Sequence, residues 1–316
     1  MSYVGSRAYD CSQMKFSKII FTSPSKIFSS LLRRYGSFIP DRLYLKLLYY
    51  FEMGQKLNLK TPVSFTEKIQ WLKLYDRRAE YTRMVDKYAV KSYVSGIIGK
   101  EYIIPTLGVW NRFEEIDFDS LPSSFVLKTT HGGGSCGVVV VPDKSALNIK
   151  EARLKLERSM HMDGYTSYRE WPYKNVPRRI IAEEFLSNTG KPDLTDYKWY
   201  CFNGEPRFCQ VIRDRNTRET IDFYDTEWRH MDFVGLNPSA NPSAKNGDEP
   251  VAKPGKLDCM LDICRKLSKG IPFLRVDLYD VDTHLYFGEL TFYPAAGLGS
   301  FTPGDTDYKL GELLKI

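Results

Sequence analysis

The sequence holds no apolar run near the ~20 residues that a membrane-crossing helix requires. Its first residues lack the basic stretch followed by an apolar segment that marks a secretory leader. Histidine is scarce, with four in the chain, and the six cysteines (11, 136, 201, 209, 259, 264) form no CxxC pair. No Cys/His spacing suits a zinc site, and free thiols in a reducing cytoplasm are the expected state. Basic residues form no long run and spell no nucleic-acid-binding motif, so no nucleic-acid partner is expected. Internal repeats, low-complexity tracts and triad-like arrangements are also missing. A soluble cytoplasmic protein is the expectation.

What remains is enough for a substantial core. With 316 residues the chain can build one large domain or about two. Apolar residues make up 42% and aromatics 14%, which separates it from disordered chains. The formal charge of +6 comes from interspersed acids and bases. It suits polyanionic small substrates or an anionic membrane surface. Lys26 to Tyr50 is basic, amphipathic and aromatic. Two readings stand for it: a peripheral membrane contact, or a helix pair packed on the protein's own core.

Residues 1–20 are weakly patterned. From about Ser23 to Lys100 the apolar period is helical, with Gly36, Gly54 and Gly96 where C-caps would fall. Ser64, followed three residues later by Glu67, has the capping-box form. After Ile104 and Pro105 the pattern changes to strands: SSFVLKTTHGGGSCGVVVVPD, RRIIAEEFLS, DYKWYCFNGEPRFCQVIRD and TIDFYDTEW. Lys144 to Met162 and Lys256 to Gly270 read as helices. Asn203 and Gly204 mark a tight hairpin turn. Asn237 to Gly255 is a polar, proline-containing loop. The class is α+β, with an N-terminal helical layer.

The segment RVDLYDVDTHLYFGELTFYP (275–294) reads as two short strands turning near Asp282 and Thr283. Each strand carries one carboxylate, Asp277 or Glu289, in an otherwise apolar setting. Two hard oxygen ligands suit Mg²⁺, which takes one or two carboxylates plus substrate phosphates. Arg275 shares a strand face with Asp277 and can hold a phosphate. This layout fits a Mg-ATP site, and its plain alternative is a surface hairpin with solvated acids. Upstream, Lys128 precedes Gly132, Gly133, Gly134 and Ser135 between two apolar strands. Consecutive glycines let backbone N–H groups approach an anion. The spelling is neither a P-loop nor a dinucleotide fingerprint, because a strand follows it. A plain flexible turn remains the alternative.

In order along the chain, these pieces resemble the ATP-grasp superfamily. Asp86, Lys87 and Lys91 resemble the helix opening whose later lysine, Lys91, reaches the nucleotide. Phe125 to Lys128 with the glycine loop resembles the second lysine strand and the phosphate-covering loop. Glu183 and Leu186 match the Glu-x-x-Leu hinge that meets adenine. Asp196 resembles the acid on the ribose, and Lys198 follows on the same face. Arg275, Asp277 and Glu289 resemble the phosphate arginine and the metal carboxylates. Thr291 stands where the family has asparagine as a further metal ligand, and a hydroxyl is a poorer ligand than an amide oxygen.

Longer phrases, among them SFTEKIQWLKLYDRR, DKYAVKSYV and GELTFYPAAGLGSF, resemble the TupA-like branch, which is associated with bacterial surface polysaccharide and teichuronopeptide synthesis. The resemblance runs from about residue 40 to 310. It implies a helical region over 1–85 and an ATP-grasp region over 86–316. In the latter, 118–186 would carry the lysines and glycine loop and 187–316 the metal site, the two subdomains clamping ATP and Mg²⁺. Arg275 and Lys128 would be catalytic. It further implies a carboxylate–amine ligase working through an acyl-phosphate, joining an amine or amino acid to a glycan uronic acid. A glycosyltransferase, a glycan kinase and a non-catalytic nucleotide-binding module stay open. Arg178, Arg179, Arg213, Arg215 and Arg218 are candidates for an acidic acceptor, and Trp171, Tyr173, Phe292 and Tyr293 for sugar rings. Asp305 and Asp307 spell Asp-x-Asp within a Pro/Gly loop, where chance is the better reading.

Overall fold

The computed structural model describes residues 24–134, 136–187, 194–213, 219–237, 246–282 and 284–316. Helices lead. α1 (Pro24–Tyr35) and α2 (Asp41–Met53) are joined by a 3₁₀ turn at Gly36–Phe38. Tyr44, Leu45, Leu48 and Tyr49, spaced on one face of α2, close a small core with Leu57, Leu59 and Leu298. Gly54, at φ 71°, caps α2 in the left-handed conformation that glycine adopts freely. α3 (Phe65–Tyr75) starts on the capping box: Ser64 Oγ accepts from the Glu67 N–H, and the Glu67 carboxylate accepts from the Ser64 N–H. Such a cap is worth about 0.5–2 kcal/mol. α4 (Glu80–Val85) and α5 (Ala89–Ile98) follow. Gly36, directly after Tyr35, stands at the end of α1 as read, whereas Gly96 does not end a helix. Gly36 opens the 3₁₀ turn, and Gly96 lies inside α5, which runs on to Ile98 because that side chain packs on the main core. Gly99, at φ 112°, ends it.

β1 (Thr106–Trp110), β2 (Phe125–Thr129) and β3 (Val138–Val141) come next. α6 (Ile149–Met160), α7 (Gly164–Tyr168) and β4 (Ile180–Glu184) follow them. The strands form an antiparallel sheet in the order β1-β4-β2-β3. Strand alternation divides its faces. Phe125, Leu127, Ile180 and Ala182 pack with Ala152 and Leu156 of α6, while Lys128 and Glu183 point the other way.

β5 (Asp196–Phe202), β6 (Glu205–Arg213), β7 (Thr220–Asp225) and β8 (Val234–Asn237) are succeeded by α8 (Leu257–Ser268). β9 (Phe273–Val281), β10 (His284–Thr291), β11 (Ser300–Thr302) and α9 (Thr306–Leu313) complete the described chain. The second sheet is antiparallel in the order β10-β9-β5-β6-β7, and β8 pairs with β11. Asn203 and Gly204, at φ 52° and 87°, make the β5–β6 turn. Met260, Cys264 and Leu267 of α8 share the main core with Trp199, Val211, Val276 and Leu278. The opposite parity carries Lys198, Gln210, Arg275 and Asp277. The α+β class holds, and among the described residues no helix is long and apolar enough to cross a membrane. Cys201, Cys209, Cys259 and Cys264 are free thiols, whereas Cys136 is disulfide-bonded, against the expectation of free thiols throughout.

Candidate nucleotide and metal site

The carboxylate hairpin forms, and a bulge sets its chemistry. Phe287 pairs with Leu278, but Glu289 pairs with Asp277, so Gly288 is an extra residue in β10. Had the strand run on in regular register through Gly288, Glu289 would oppose Val276 and face α8. One inserted residue turns the carboxylate to the polar face. A Cβ at Gly288 would stand 3.1 Å from the Asp277 carbonyl oxygen, so glycine fits the bulge. Thr291 pairs with Arg275 on the same face.

Arg275 fixes both acids. Its Nε and Nη2 donate to the two Asp277 carboxylate oxygens at 2.7 Å each, and Nη2 also reaches Glu289 Oε1 at 3.0 Å. Lys198, in register with Asp277 across β5–β9, forms an ion pair with it and stands 3.9 Å from Asp196. Lys87, just before α5, donates to the Gly132 carbonyl at 2.6 Å and to Glu289 Oε2 at 3.3 Å. Thr291 Oγ1 lies 3.5 Å from Glu289 Oε1. Asp277 is 1% exposed, while the Glu289 side chain is 34% exposed, so the cluster has one open side. Burial by itself would raise the Glu289 carboxyl. Lys87, Arg275 and Lys198 more than offset that and hold it well below the usual carboxylate range.

The first sheet supplies a second set of charges. Glu183, buried, receives Lys91 Nζ at 2.6 Å and Lys128 Nζ. Lys91 also donates to the Ile104 carbonyl at 2.6 Å. Burial would push Glu183 up, but the two ammonium groups bring it down. Lys91 is lowered by burial and by neighbouring Lys128, Glu183 opposing. The carboxylate of Glu183 is thus taken up by the lysines, and Leu186 stands half-buried just beyond the end of β4. A cavity of about 500 Å³ opens beside Lys91, lined also by Tyr88, Ser95, Ile103, Ile104 and Thr106.

The glycines divide into two kinds. A Cβ at Gly132 or Gly137 would come within 2.4 or 2.2 Å of Thr129 Oγ1, so these two are required by packing. Gly133 and Gly134 meet nothing within 4 Å, and Gly134 has φ 59°. Their backbone is therefore open to a ligand. Ser135 lies outside the described residues. His131 Nε2 is 3.0 Å from the Ser159 carbonyl, and burial with nearby Arg178 and Lys87 lowers its pKa, which favours a neutral loop anchor.

Other candidates fall elsewhere. Arg179 binds Asp86 at 2.7 Å, and Asp86 also accepts from the N–H groups of Tyr88 and Ala89 where α5 begins. Arg213 is tied to Asp222 and the Glu249 carbonyl on the other face of the second sheet. Arg178 donates to the Met160 carbonyl, and Arg215 and Arg218 are outside the described residues. Phe292 and Tyr293 are core residues, with the Phe292 ring packed at a tilt against Tyr81, centroids 4.2 Å apart. Asp307 is buried and accepts from Thr66 N–H and Oγ1, while Asp305 pairs with Lys309. The Asp-x-Asp spelling is a structural tie. Sequence reasoning passed over two members of the polar face. Lys87 was visible only as half of an Asp-Lys pair. Gln210, which accepts from Tyr200 OH at 3.1 Å and pairs in register with Lys198, gave no signal.

The donor set fits a magnesium nucleotide. Five cations (Lys87, Lys91, Lys128, Lys198, Arg275) face four carboxylates (Glu183, Asp196, Asp277, Glu289), a net charge of one positive. A magnesium–ATP complex carries about two negative charges, so the positive excess of the site favours its approach and the filled site would carry about one negative charge. Among the described residues no cluster of three or more His, Cys, Asp or Glu suits a metal, and Mg²⁺ shared with phosphates needs only the two carboxylates.

Residues 67–315 match the family model described as TupA-like ATPgrasp, and the chain belongs to the TupA-like ATP-grasp family. The structure is similar to D-alanine–D-alanine ligase from Bacillus anthracis complexed with ATP. The identity is 16%, the TM-score 0.37, and the match covers 66% of this chain and 54% of that one. For D-alanine–D-alanine ligase from Helicobacter pylori the values are 15%, 0.41, 79% and 69%. For the ATP-grasp ligase PsnB complexed with minimal precursor, Mg and ADP they are 12%, 0.36, 85% and 66%. The chain thus spans about half the length of the first of these. At these values the likeness is partial, and the assignment rests on the family match. No curated protein matches the chain.

Proposed function

We propose that this protein is a Mg-ATP-dependent carboxylate–amine ligase of surface-polysaccharide assembly, joining an amine or amino acid to a glycan uronic acid. The observation that carries the reading is the bulge that brings Glu289 into register with Asp277 beneath Arg275, with Lys198 and Lys87 at their sides. Asp277, Glu289 and Thr291 would hold the metal, which neutralises phosphate charge when bound. Lys91, Lys128, Lys198 and the open backbone of Gly133 and Gly134, with Ser135, would hold the phosphates. Glu183 orients the two lysines through its ion pairs, and the segment through Leu186 would meet the base, with Asp196 on the ribose. Arg275 and Lys128 would stabilise the charge that develops at the transferred phosphoryl group.

In this reading a substrate carboxylate oxygen attacks the terminal phosphorus and ADP departs, leaving an acyl-phosphate. The amine nitrogen then attacks the acyl carbon, phosphate leaves, and the nitrogen loses a proton to water. No enzyme nucleophile is consumed. The glycan and the polysaccharide setting follow from the family association. The test is ADP release with uronic acids and amino acids, followed by mass analysis of the product. An amide supports the ligase. A phosphorylated glycan without amide would convert the assignment to a kinase, and turnover of a nucleotide-sugar with no ATP binding would convert it to a glycosyltransferase.

A further inference from the structure

We infer that the α1–α2 hairpin is a docking surface for an anionic lipid bilayer. α2 spends one face on the core through Tyr44, Leu45, Leu48 and Tyr49. The faces left over are not polar. Phe28, Leu31 and Tyr35 form an exposed i, i+3, i+7 stripe on α1. Phe38, 83% exposed, extends it through the turn, and Leu43 and Tyr50 continue on α2. Phe28 stacks on Phe51 at 5.4 Å, and Phe51 meets Tyr50 at 5.7 Å, which joins the two helices' apolar faces. Six exposed large apolar side chains thus fall between Phe28 and Tyr50, while the others are spread from Val63 to Ile316. Exposed apolar and aromatic side chains gathered on one hairpin in this way mark an interaction site.

Charge selects the occupant. Arg34, Arg42 and Lys46 are exposed beside the patch. The hairpin's two acids are both neutralised, Glu52 by Arg33 and Asp41 by Arg77 and Arg169. Among the described residues, the surface therefore presents aromatic and aliphatic groups beside positive charges that no acid of the hairpin offsets, the pattern of a helix lying in an anionic lipid interface. A second copy across a two-fold axis would set Arg34, Arg42 and Lys46 against their own counterparts. The hairpin also precedes residues 67–315, the part matched by the family. This role is independent of the reaction proposed above.

Flotation of the full chain with vesicles tests it, using phosphatidylcholine alone and phosphatidylcholine mixed with phosphatidylglycerol. Binding to the anionic vesicles, released by salt, is expected. Leu31→Ser/Tyr35→Ser/Phe38→Ser should abolish it. Arg34→Gln/Arg42→Gln/Lys46→Gln should weaken it roughly fivefold per residue. All six side chains are exposed, so both variants should keep the wild-type melting temperature, the control for folding. Absence of flotation with any vesicle would overturn the inference. So would binding that neither variant reduces, or a wild-type dimer that the apolar variant converts to monomer.

Discussion

Replacing Asp277 by asparagine tests the electrostatic logic of the site. The carboxylate is 1% exposed and receives two Arg275 bonds at 2.7 Å together with Lys198. Its cations are themselves covered, with side-chain exposures of 12% and 10%. Removing one partner of a buried ion pair costs roughly 3–5 kcal/mol. Asparagine keeps the shape and Glu289 still holds Arg275, which places this change at the low end, about 3 kcal/mol. For a chain of 316 residues that lowers the melting temperature by roughly 4–5 °C.

Binding should move differently. Free of magnesium, the variant should bind ATP more tightly than wild type, because one repelling carboxylate is gone and Lys198 and Arg275 are released toward phosphate. The gain that wild type shows on adding Mg²⁺ should disappear. Scanning calorimetry and titration calorimetry, with and without a chelator, read both effects. Wild-type Mg²⁺ dependence in the variant would refute the metal role of Asp277. An unchanged melting temperature would refute the buried triad with Arg275 and Lys198.

Thr291→Asn should tighten Mg²⁺ in the ATP complex several-fold, since an amide oxygen is a better hard ligand than a hydroxyl; a Mg²⁺ titration followed by calorimetry reads it, and no change would remove Thr291 from the metal set. Glu183 is held below its ordinary value of 4.5 in the folded chain, so the unfolded chain takes up the proton first. Its stabilisation is complete above that value and is lost as pH falls below it. Glu183→Gln should therefore flatten the acid limb of a melting-temperature profile, and an unchanged limb would count against the twin ion pair. Gly311→Ala would place a Cβ 2.1 Å from the Val63 carbonyl oxygen and should cost about 1–3 kcal/mol by denaturant unfolding.

Local pattern carried much of this protein. The Ser64–Glu67 cap, the Gly54 stop and the Asn203–Gly204 turn each depend on contacts within a few residues, so sequence alone determined them. Alternation along β2 and β4 likewise put Lys128 and Glu183 on the face away from the apolar core. Sequence also named Arg275, Asp277 and Glu289, because acids in apolar strands need a reason to be there. Tertiary structure decided what those residues meet. The bulge at Gly288 changes strand parity, which no alternation rule anticipates, and it alone aims Glu289 at Asp277. Lys87, 202 positions before Glu289, reaches it because its own N–H and ammonium are tied to the Thr130 and Gly132 carbonyls while α5 packs on the main core. Glu183 became the partner of Lys91 and Lys128 for the same reason: pairing energy in a buried site depends on distance through space, and chain order does not encode it.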